Sequence, residues 1–131
     1  MFTIIFPVLN ERLRLESGVT RTVEYLHKIA FEDYEIIIVD NGSEDETPQI
    51  AENLCKKYDK VKYERINVRG VGAAFRRGVE VSHGDVVGYM DIDLSTNIRH
   101  LGEAIHLFET QPEIQYINGS RFARESDTRG R

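Results

Sequence analysis

The stretch Asp85-Val86-Val87-Gly88-Tyr89-Met90-Asp91-Ile92-Asp93 is a short apolar run that ends in two carboxylic acids separated by one residue. Strands of a parallel sheet that is covered on both faces are continuously apolar, so the run is typical of a buried parallel strand. Ligands of open α/β sheets bind beyond the carboxyl ends of the strands. The stretch therefore predicts that Asp91 and Asp93 lie at an edge of the sheet where a ligand binds.

The spacing of the two acids favours a site for a divalent cation and a phosphate. Two adjacent carboxylates repel each other unless a cation offsets their charge. Mg²⁺ and Mn²⁺ prefer oxygen ligands, which phosphate groups also supply. We therefore expect Asp91 and Asp93 to bind Mg²⁺ or Mn²⁺. The alternative is that the acids only cap the next helix, and their spacing alone does not decide between the two.

The composition limits the class of protein and its partners. A chain of 131 residues is long enough for one domain with a core. Its net charge of -5 argues against nucleic acid as a partner. The single cysteine, Cys55, fits a reducing compartment, and no apolar run is long enough to cross a bilayer. We expect a cytoplasmic protein that is at most peripheral at the cytoplasmic face of the membrane.

Apolar runs alternate with amphipathic segments along the whole chain. Helical periodicity separates five predicted strands, at residues 3–8, 34–40, 61–66, 85–93 and 114–118. This alternation predicts an α/β fold with a doubly wound, mostly parallel, Rossmann-like sheet that carries helices on both faces. Thr47, followed by Pro48, is predicted to cap the second helix.

Glycines mark the start of the third helix. Small residues at Gly70 and Gly72 would let backbone amides approach a ligand, and the helix N-terminus would favour an anion there. Because these glycines follow the third predicted strand rather than the first, they do not match a dinucleotide fingerprint, and NAD is not expected.

Polar residues follow three strands that a doubly wound sheet would bring together. Residues 7–11 follow the first strand, Asp40 ends the second, and Asp91 and Asp93 follow the fourth. We expect these groups to converge on one crevice. Asp40 would accept hydrogen bonds from a base or a ribose; the alternative is that it organises the turn at Asn41 and Gly42.

Six motifs occur in a fixed order between Thr3 and about Arg121. They are Ile5-Phe6-Pro7-Val8-Leu9-Asn10-Glu11, Glu35-Ile36-Ile37-Ile38-Val39-Asp40-Asn41-Gly42-Ser43 with Asp45 and Thr47, Gly70-Val71-Gly72-Ala73-Ala74 followed by Arg76 and Gly78, Gly84-Asp85, Met90-Asp91-Ile92-Asp93-Leu94-Ser95, and Asn118-Gly119-Ser120-Arg121. This ordered set closely resembles the family 2 glycosyltransferases of the A-type fold, and within them the dolichol-phosphate mannose and glucose synthases.

The resemblance implies which residues contact the nucleotide of a sugar donor. Pro7, Asn10 and Glu11 would border the nucleotide, and Asp40 would bind its nucleoside part. Asn41 stands where many members of the family have a second Asp, which lowers the negative charge by one and would alter the contacts to the base or the metal.

The resemblance also implies contacts from the second half of the chain. Gly70 and Gly72 would lie against the nucleotide, with Arg76 nearby, and Arg121 would lie close to the donor sugar or the phosphates. Ser95 replaces a Gln that is often found at this position in the family.

The implied reaction transfers a sugar from a UDP- or GDP-sugar to a polyprenyl phosphate, such as dolichyl phosphate, at a membrane surface. Asp91 and Asp93 would form the catalytic centre by binding the divalent cation and the diphosphate of the donor.

The length of the chain differs from the family pattern. Family members continue well past Arg121 with an acceptor-side half, so we expect a truncated A-type fold with mainly the donor half. Residues 1–120 would be the nucleotide-sugar-binding domain, and residues 121–131 a mobile, Arg-rich tail. The edge of the fifth strand would pair with a second copy or a partner chain. The alternative function is a non-catalytic nucleotide-sugar-binding or interaction module that lacks the acceptor half.

Overall fold

The computed structural model describes residues 1–68, 70–93, 98–110 and 116–118. Strands and helices alternate in these ranges as β1 Phe2–Val8, α1 Leu15–Lys28, β2 Tyr34–Asp40, α2 Thr47–Lys57, β3 Val61–Arg65, α3 Val71–Val81, β4 Val86–Tyr89, α4 Arg99–Thr110 and β5 Tyr116–Asn118. The strands form one sheet in the order β3-β2-β1-β4-β5, and these neighbours are all parallel.

Helices cover both faces of this sheet. Leu26 of α1, Leu54 of α2 and Leu101 of α4 belong to the core on one face. Ala74 of α3 belongs to the core on the other face. Every residue of β2 is buried, because β1 and β3 flank it and helices cover it, which explains its nearly continuous apolar sequence. The predicted fold class is confirmed.

The order of the strands determines where a ligand can bind. The chain winds from β1 outward to β3 and then returns to β4 on the other side of β1, so the winding reverses between β1 and β4. In the register of the sheet, Val8 at the end of β1 lies beside Asp40, and Ile5 lies beside Tyr89 at the end of β4. The polar segments after β1, β2 and β4 therefore leave the sheet at the same edge, at its switch point.

Two local details differ from the predictions. Strand β4 ends at Tyr89 rather than at residue 93, and Asp91 and Asp93 follow it on a turn, which leaves them beyond the carboxyl end of the strand as expected. Helix α2 begins at Thr47, so Thr47 is its first residue and not its cap. The Thr47 hydroxyl accepts a hydrogen bond from the backbone N–H of Glu11 at 2.9 Å, and the N–H of Thr47 donates to the Asp45 carboxylate at 2.8 Å.

Several predictions concern residues outside the described ranges. These are the mobile tail at residues 121–131, the contact of Arg121 with the donor, and the substitution at Ser95. Pairing of a second chain along β5 also stays a prediction. Within the described ranges, no helix combines the length and the apolar character needed to cross a membrane.

Candidate functional site

Hydrogen bonds join the loops that follow β1 and β2. The Asn10 side-chain oxygen accepts a bond from the Glu44 N–H at 2.8 Å, and the Asn10 N–H donates to the Ser43 hydroxyl at 2.8 Å. The φ of Asn10 is 53°, in the left-handed region that asparagine tolerates better than most residues. Together with the bond from Glu11 to Thr47, these contacts fix the loop after β1 against the loop after β2.

A cleft of about 280 Å³ opens at this edge of the sheet. Its lining comes from the ends of β1, β2 and β4 and from the residue before α3: Pro7, Val8, Leu9, Glu11, Asn41, Gly70, Tyr89 and Asp91. Gly70 has a φ of 124°, a conformation that favours glycine, and so it turns the chain into α3 beside the cleft. A larger open groove of about 800 Å³ between α1 and α4 is lined by none of the predicted site residues.

Asp40 lies behind the cleft and does not line it. Its side chain is fully buried. Oδ1 accepts hydrogen bonds from the backbone N–H groups of Gly42 and Ser43, at 3.0 and 2.8 Å. Oδ2 accepts from the Tyr63 hydroxyl at 2.7 Å and from Arg65 Nη1 at 3.3 Å. Asp40 thus organises the turn after β2, as the alternative interpretation of the sequence predicts.

The hydrogen bond between Asp40 and Tyr63 also affects the pKa of the Tyr63 hydroxyl. Burial raises the pKa of Tyr63 to about 12, and the hydrogen bond that Tyr63 donates to Asp40 contributes to the increase. That hydrogen bond raises the pKa because it is lost when the phenol ionises beside a carboxylate. Tyr63 therefore stays protonated, and remains a donor to Asp40, throughout the physiological pH range.

Asn41 lies on the cleft side of the same turn. Its backbone N–H donates to the Val8 carbonyl at 2.9 Å, which holds it beside β1. The residue is only 7% exposed, and its side-chain oxygen is buried without a hydrogen-bond partner among the described residues. An unsatisfied buried acceptor costs about 1–3 kcal/mol. A ligand that donates a hydrogen bond here would recover that cost.

Negative charge accumulates beside the cleft. Partial burial raises the pKa of Asp91, and the charge of Asp93 raises it further. Burial also raises the pKa of Glu11, although the neighbouring Arg14 acts in the opposite direction. Arg14 Nε lies 3.1 Å from Glu11 Oε1, and Arg14 Nη1 lies 3.9 Å from Asp93 Oδ2. Arg14 thus contacts two of the three acids beside the cleft.

The two aspartates have the chemistry of a cation site that a phosphate ligand completes. In the described part of the chain, no group of three or more His, Cys, Asp or Glu residues could hold a metal by itself. Mg²⁺ is commonly bound by one or two carboxylates together with water and substrate phosphates. Asp91, in the lining of the cleft, and Asp93, two residues further along the same turn, match this donor set, because they supply carboxylate oxygens and negative charge.

Gly18 of α1 allows the turn with the two acids to approach the helix. A Cβ atom at this position would lie 2.3 Å from the backbone oxygen of Ile92. Ile92 stands between Asp91 and Asp93 and is itself 2% exposed. The missing side chain at Gly18 therefore determines how deeply the turn sits, and with it the position of both acids.

We predict that Gly18→Ala displaces this turn. Overpacking against Ile92 should lower the free energy of unfolding by about 1–3 kcal/mol. The higher helix propensity of alanine offsets part of this loss of stability. Urea denaturation measures this change. Gly72→Ala is the matched control, because a Cβ at that position meets no atom within 4 Å among the described residues beyond its chain neighbours and its own helix backbone. Equal stability of the two variants would contradict the role assigned to Gly18.

The other predicted site residues lie outside the lining of the cleft. The Asn10 side chain is used in joining the two loops. Gly72 and Arg76 are exposed on the first turns of α3, and Asp93 contacts Arg14. Arg121 falls outside the described residues. Contacts of these residues with a ligand stay predictions.

Three residues of the site were not predicted from the sequence. Arg14 could have been found from its spacing, because it lies three residues after Glu11 and pairs with it. Tyr63 and Gly18 carry no such local signal, since their partners lie far away in the sequence.

Solved structures in complex with nucleotide-sugars share this architecture. The structure of S. aureus TarS in complex with UDP-GlcNAc matches with a TM-score of 0.64 and 25% identity, over 83% of this chain and 31% of that one. A mannosyltransferase from Pyrobaculum calidifontis, in complex with GDP-Man and Mn²⁺, matches with a TM-score of 0.64 and 19% identity, over 82% of this chain and 32% of that one. The fold is that of the A-type glycosyltransferases.

Sequence comparison gives the family. The model described as "Glycosyl transferase family 2" matches residues 3–131, and the chain belongs to this family of transferases. Glycosyltransferase AglD of Haloferax volcanii is 34% identical over 122 residues, which are 92% of this chain and 19% of AglD. Human dolichyl-phosphate beta-glucosyltransferase is 35% identical in an alignment of 137 positions, gaps included, that covers 96% of this chain and 42% of that enzyme. The chain therefore spans less than half the length of these relatives.

Proposed function

We propose that this chain binds the sugar donor of a family 2 glycosyltransferase that uses a UDP- or GDP-sugar. The observation that carries the proposal is the single cleft lined by Glu11, Asn41, Gly70 and Asp91. These residues come from four separate segments, which the parallel sheet brings to its switch point. The solved relatives described above bind UDP-GlcNAc or GDP-Man, and the cleft offers groups suited to the same kind of ligand.

The nucleoside would lie on the side of the cleft that β1 and β2 form. Asn41 contributes an amide oxygen that has no hydrogen-bond partner among the described residues, and Pro7 contributes an apolar wall. Asp40 would support the nucleoside indirectly, because its four hydrogen bonds hold the turn that carries Asn41. The backbone at Gly70, directly before α3, would lie against the nucleotide.

The diphosphate would lie at Asp91 and Asp93. These two acids would hold Mg²⁺ or Mn²⁺. A bound cation of this kind offsets the negative charge that develops on the departing nucleoside diphosphate. Arg14, which contacts Asp93, would balance the remaining negative charge. Arg76 and Arg121 would contribute further positive charge near the phosphates or the sugar.

The acceptor would be a polyprenyl phosphate, such as dolichyl phosphate, or a related compound. An acceptor phosphate oxygen would bond to the anomeric carbon as the bond from that carbon to the donor diphosphate breaks. The support is the name of the human relative, a dolichyl-phosphate beta-glucosyltransferase. Because such a lipid lies in a membrane, the transfer would take place at the cytoplasmic membrane surface.

Thermal denaturation with ligands tests donor binding. Mn²⁺ with UDP or GDP, at about 100 times the dissociation constant, should stabilise the protein by about 2.7 kcal/mol, which corresponds to roughly 5–15 °C. Mn²⁺ alone and nucleotide with a chelator are the controls, and both should give smaller shifts. No shift with UDP, GDP or their sugar derivatives in the presence of Mn²⁺ would overturn the proposal.

A further inference from the structure

Arg14 places one positive charge between two acids of the site. Its Nε lies 3.1 Å from Glu11 Oε1, and its Nη1 lies 3.9 Å from Asp93 Oδ2. Glu11 belongs to the loop after β1 and Asp93 to the turn after β4, so the guanidinium joins two of the segments that surround the cleft. Arg14 therefore contacts one of the two carboxylates that would hold the divalent cation.

The backbone of Arg14 is fixed, although its side chain is exposed. The Arg14 N–H donates to the Glu11 carbonyl at 3.0 Å, and the Arg14 carbonyl accepts from the Gly18 N–H at 2.8 Å. Gly18 in turn lies against Ile92, the residue between the two aspartates. The side chain thus starts from a defined position beside the turn with the acids. Because it is 59% exposed, it can change its rotamer with little loss of packing.

The contact between Arg14 and Asp93 is weak enough to be exchanged. The Asp93 side chain is 40% exposed, and the two charged atoms are 3.9 Å apart. Exposed ion pairs of this kind contribute little to stability, because water screens them. A divalent cation that binds the same carboxylate would replace this contact, since the positive charges of the cation and of Arg14 repel each other.

A diphosphate offers the guanidinium of Arg14 a stronger partner than Asp93. The planar guanidinium donates parallel hydrogen bonds that match the geometry of phosphate oxygens. The diphosphate of the proposed donor would lie at Asp91 and Asp93, and Arg14 already reaches Asp93. A change of rotamer is therefore sufficient to move the guanidinium from the carboxylate to the phosphate.

We propose that Arg14 and the divalent cation compete for Asp93, and that Arg14 moves to the donor diphosphate when the cation binds. Arg14 therefore weakens the binding of the cation alone and strengthens the binding of the nucleotide, so that the site favours the two ligands together. Such coupling is reciprocal, because each ligand raises the affinity for the other by the same factor. The inference rests on the proposed function and identifies a residue that couples the two ligands of that site.

Arg14→Gln tests the inference in two titrations of the full chain. Mn²⁺ alone, followed by the electron paramagnetic resonance signal of the free ion, should bind the variant about three- to tenfold more tightly than the wild-type protein, because a nearby positive charge is removed. UDP or GDP at saturating Mn²⁺, followed by calorimetry, should bind about three- to tenfold more weakly, because a charge-assisted bond to phosphate is lost. A merely structural role would weaken both.

Arg12→Gln and Arg14→Lys are the matched controls. Arg12 is exposed like Arg14, but its Nε lies 3.7 Å from Glu46 Oε1 rather than beside the acids of the cleft. Loss of its charge should leave both affinities within about twofold of the wild-type values, since solvent and salt screen an exposed charge that is not in contact with the site. Arg14→Lys keeps the charge, and this variant should bind Mn²⁺ alone as weakly as the wild-type protein does.

The outcomes distinguish the inference from the proposed function. If Mn²⁺ alone binds Arg14→Gln no more tightly than the wild-type protein, or if the nucleotide binds that variant without loss, the inference is overturned and the proposed function stays in place. Equal effects from Arg12→Gln would also overturn it, because any nearby positive charge would then be sufficient. Absence of binding of both UDP and GDP to the wild-type protein with Mn²⁺ would instead overturn the proposed function.

Discussion

Replacing both Asp91 and Asp93 with Asn is expected to abolish the stabilisation that Mn²⁺ and a nucleoside diphosphate give together. Amide groups of the same shape remove both negative charges, and hard cations bind neutral amides much more weakly than carboxylates. Thermal denaturation of the variant with Mn²⁺ and UDP or GDP measures the effect, with the wild-type shift of roughly 5–15 °C as the reference.

The same substitution should not destabilise the protein when the metal is absent. The folded-state pKa of Asp91 is raised by partial burial and by the charge of Asp93. A carboxyl group with a raised pKa contributes stability at low pH, and this contribution is lost as the pH rises through the folded-state pKa. At pH 7 the ionised Asp91 carboxylate therefore weakens the folded state, and the variant should unfold at the wild-type temperature or above it.

Asp59→Asn is the matched control for this experiment. Asp59 is an exposed acid before β3, at the opposite edge of the sheet from the cleft. It should leave the ligand-induced shift unchanged. A double variant at Asp91 and Asp93 that keeps the full shift would contradict the assignment of the cation site.

Asp40→Ala is expected to lower the free energy of unfolding by about 3–5 kcal/mol, as the loss of one partner from a buried charged network does. The substitution leaves two backbone N–H groups, the Tyr63 hydroxyl and Arg65 without their acceptor. Urea denaturation measures the change. Tyr63→Phe removes one of these four bonds and should cost about 1.5–3 kcal/mol.

The comparison of these two variants separates structural from binding roles. If Asp40 serves the turn, both variants lose stability in the absence of any nucleotide. A loss below 1 kcal/mol for Asp40→Ala would mean that the turn holds without its carboxylate, and Asp40 would then be free to serve a ligand.

The fold could be predicted from the sequence because its signals are local. Residues 34–40 are apolar almost throughout, and the observed strand β2 has the predicted bounds. Alternation of such runs with helical periodicity is sufficient for a parallel sheet. The cap at Thr47 was predicted wrongly: Thr47 is the first residue of α2, and its hydroxyl accepts a hydrogen bond from Glu11, a residue 36 positions away.

Some residues of the candidate site could be predicted from the sequence and others could not, and this division has a physical reason. Glu11, Asn41 and Asp91 follow directly from strand ends, so the topology alone brings them to one cleft. The surroundings of Asp40 depend on Tyr63, which is 23 residues away in sequence and donates from a neighbouring strand. Close approaches such as that of Gly18 to Ile92 depend on the packed structure, and sequence periodicity does not report them.

The most direct test of the central claim is paramagnetic broadening of backbone amide signals by Mn²⁺ bound together with UDP. We predict broadening of the signals of Glu11, Asn41 and Asp91 in the same titration, because one cleft holds all three. Signals of Glu35 and His83, near the opposite ends of the strands, should stay sharp. Broadening at Asp91 without any change at Asn41, or broadening centred on His83, would contradict a single site for the nucleotide and its cation.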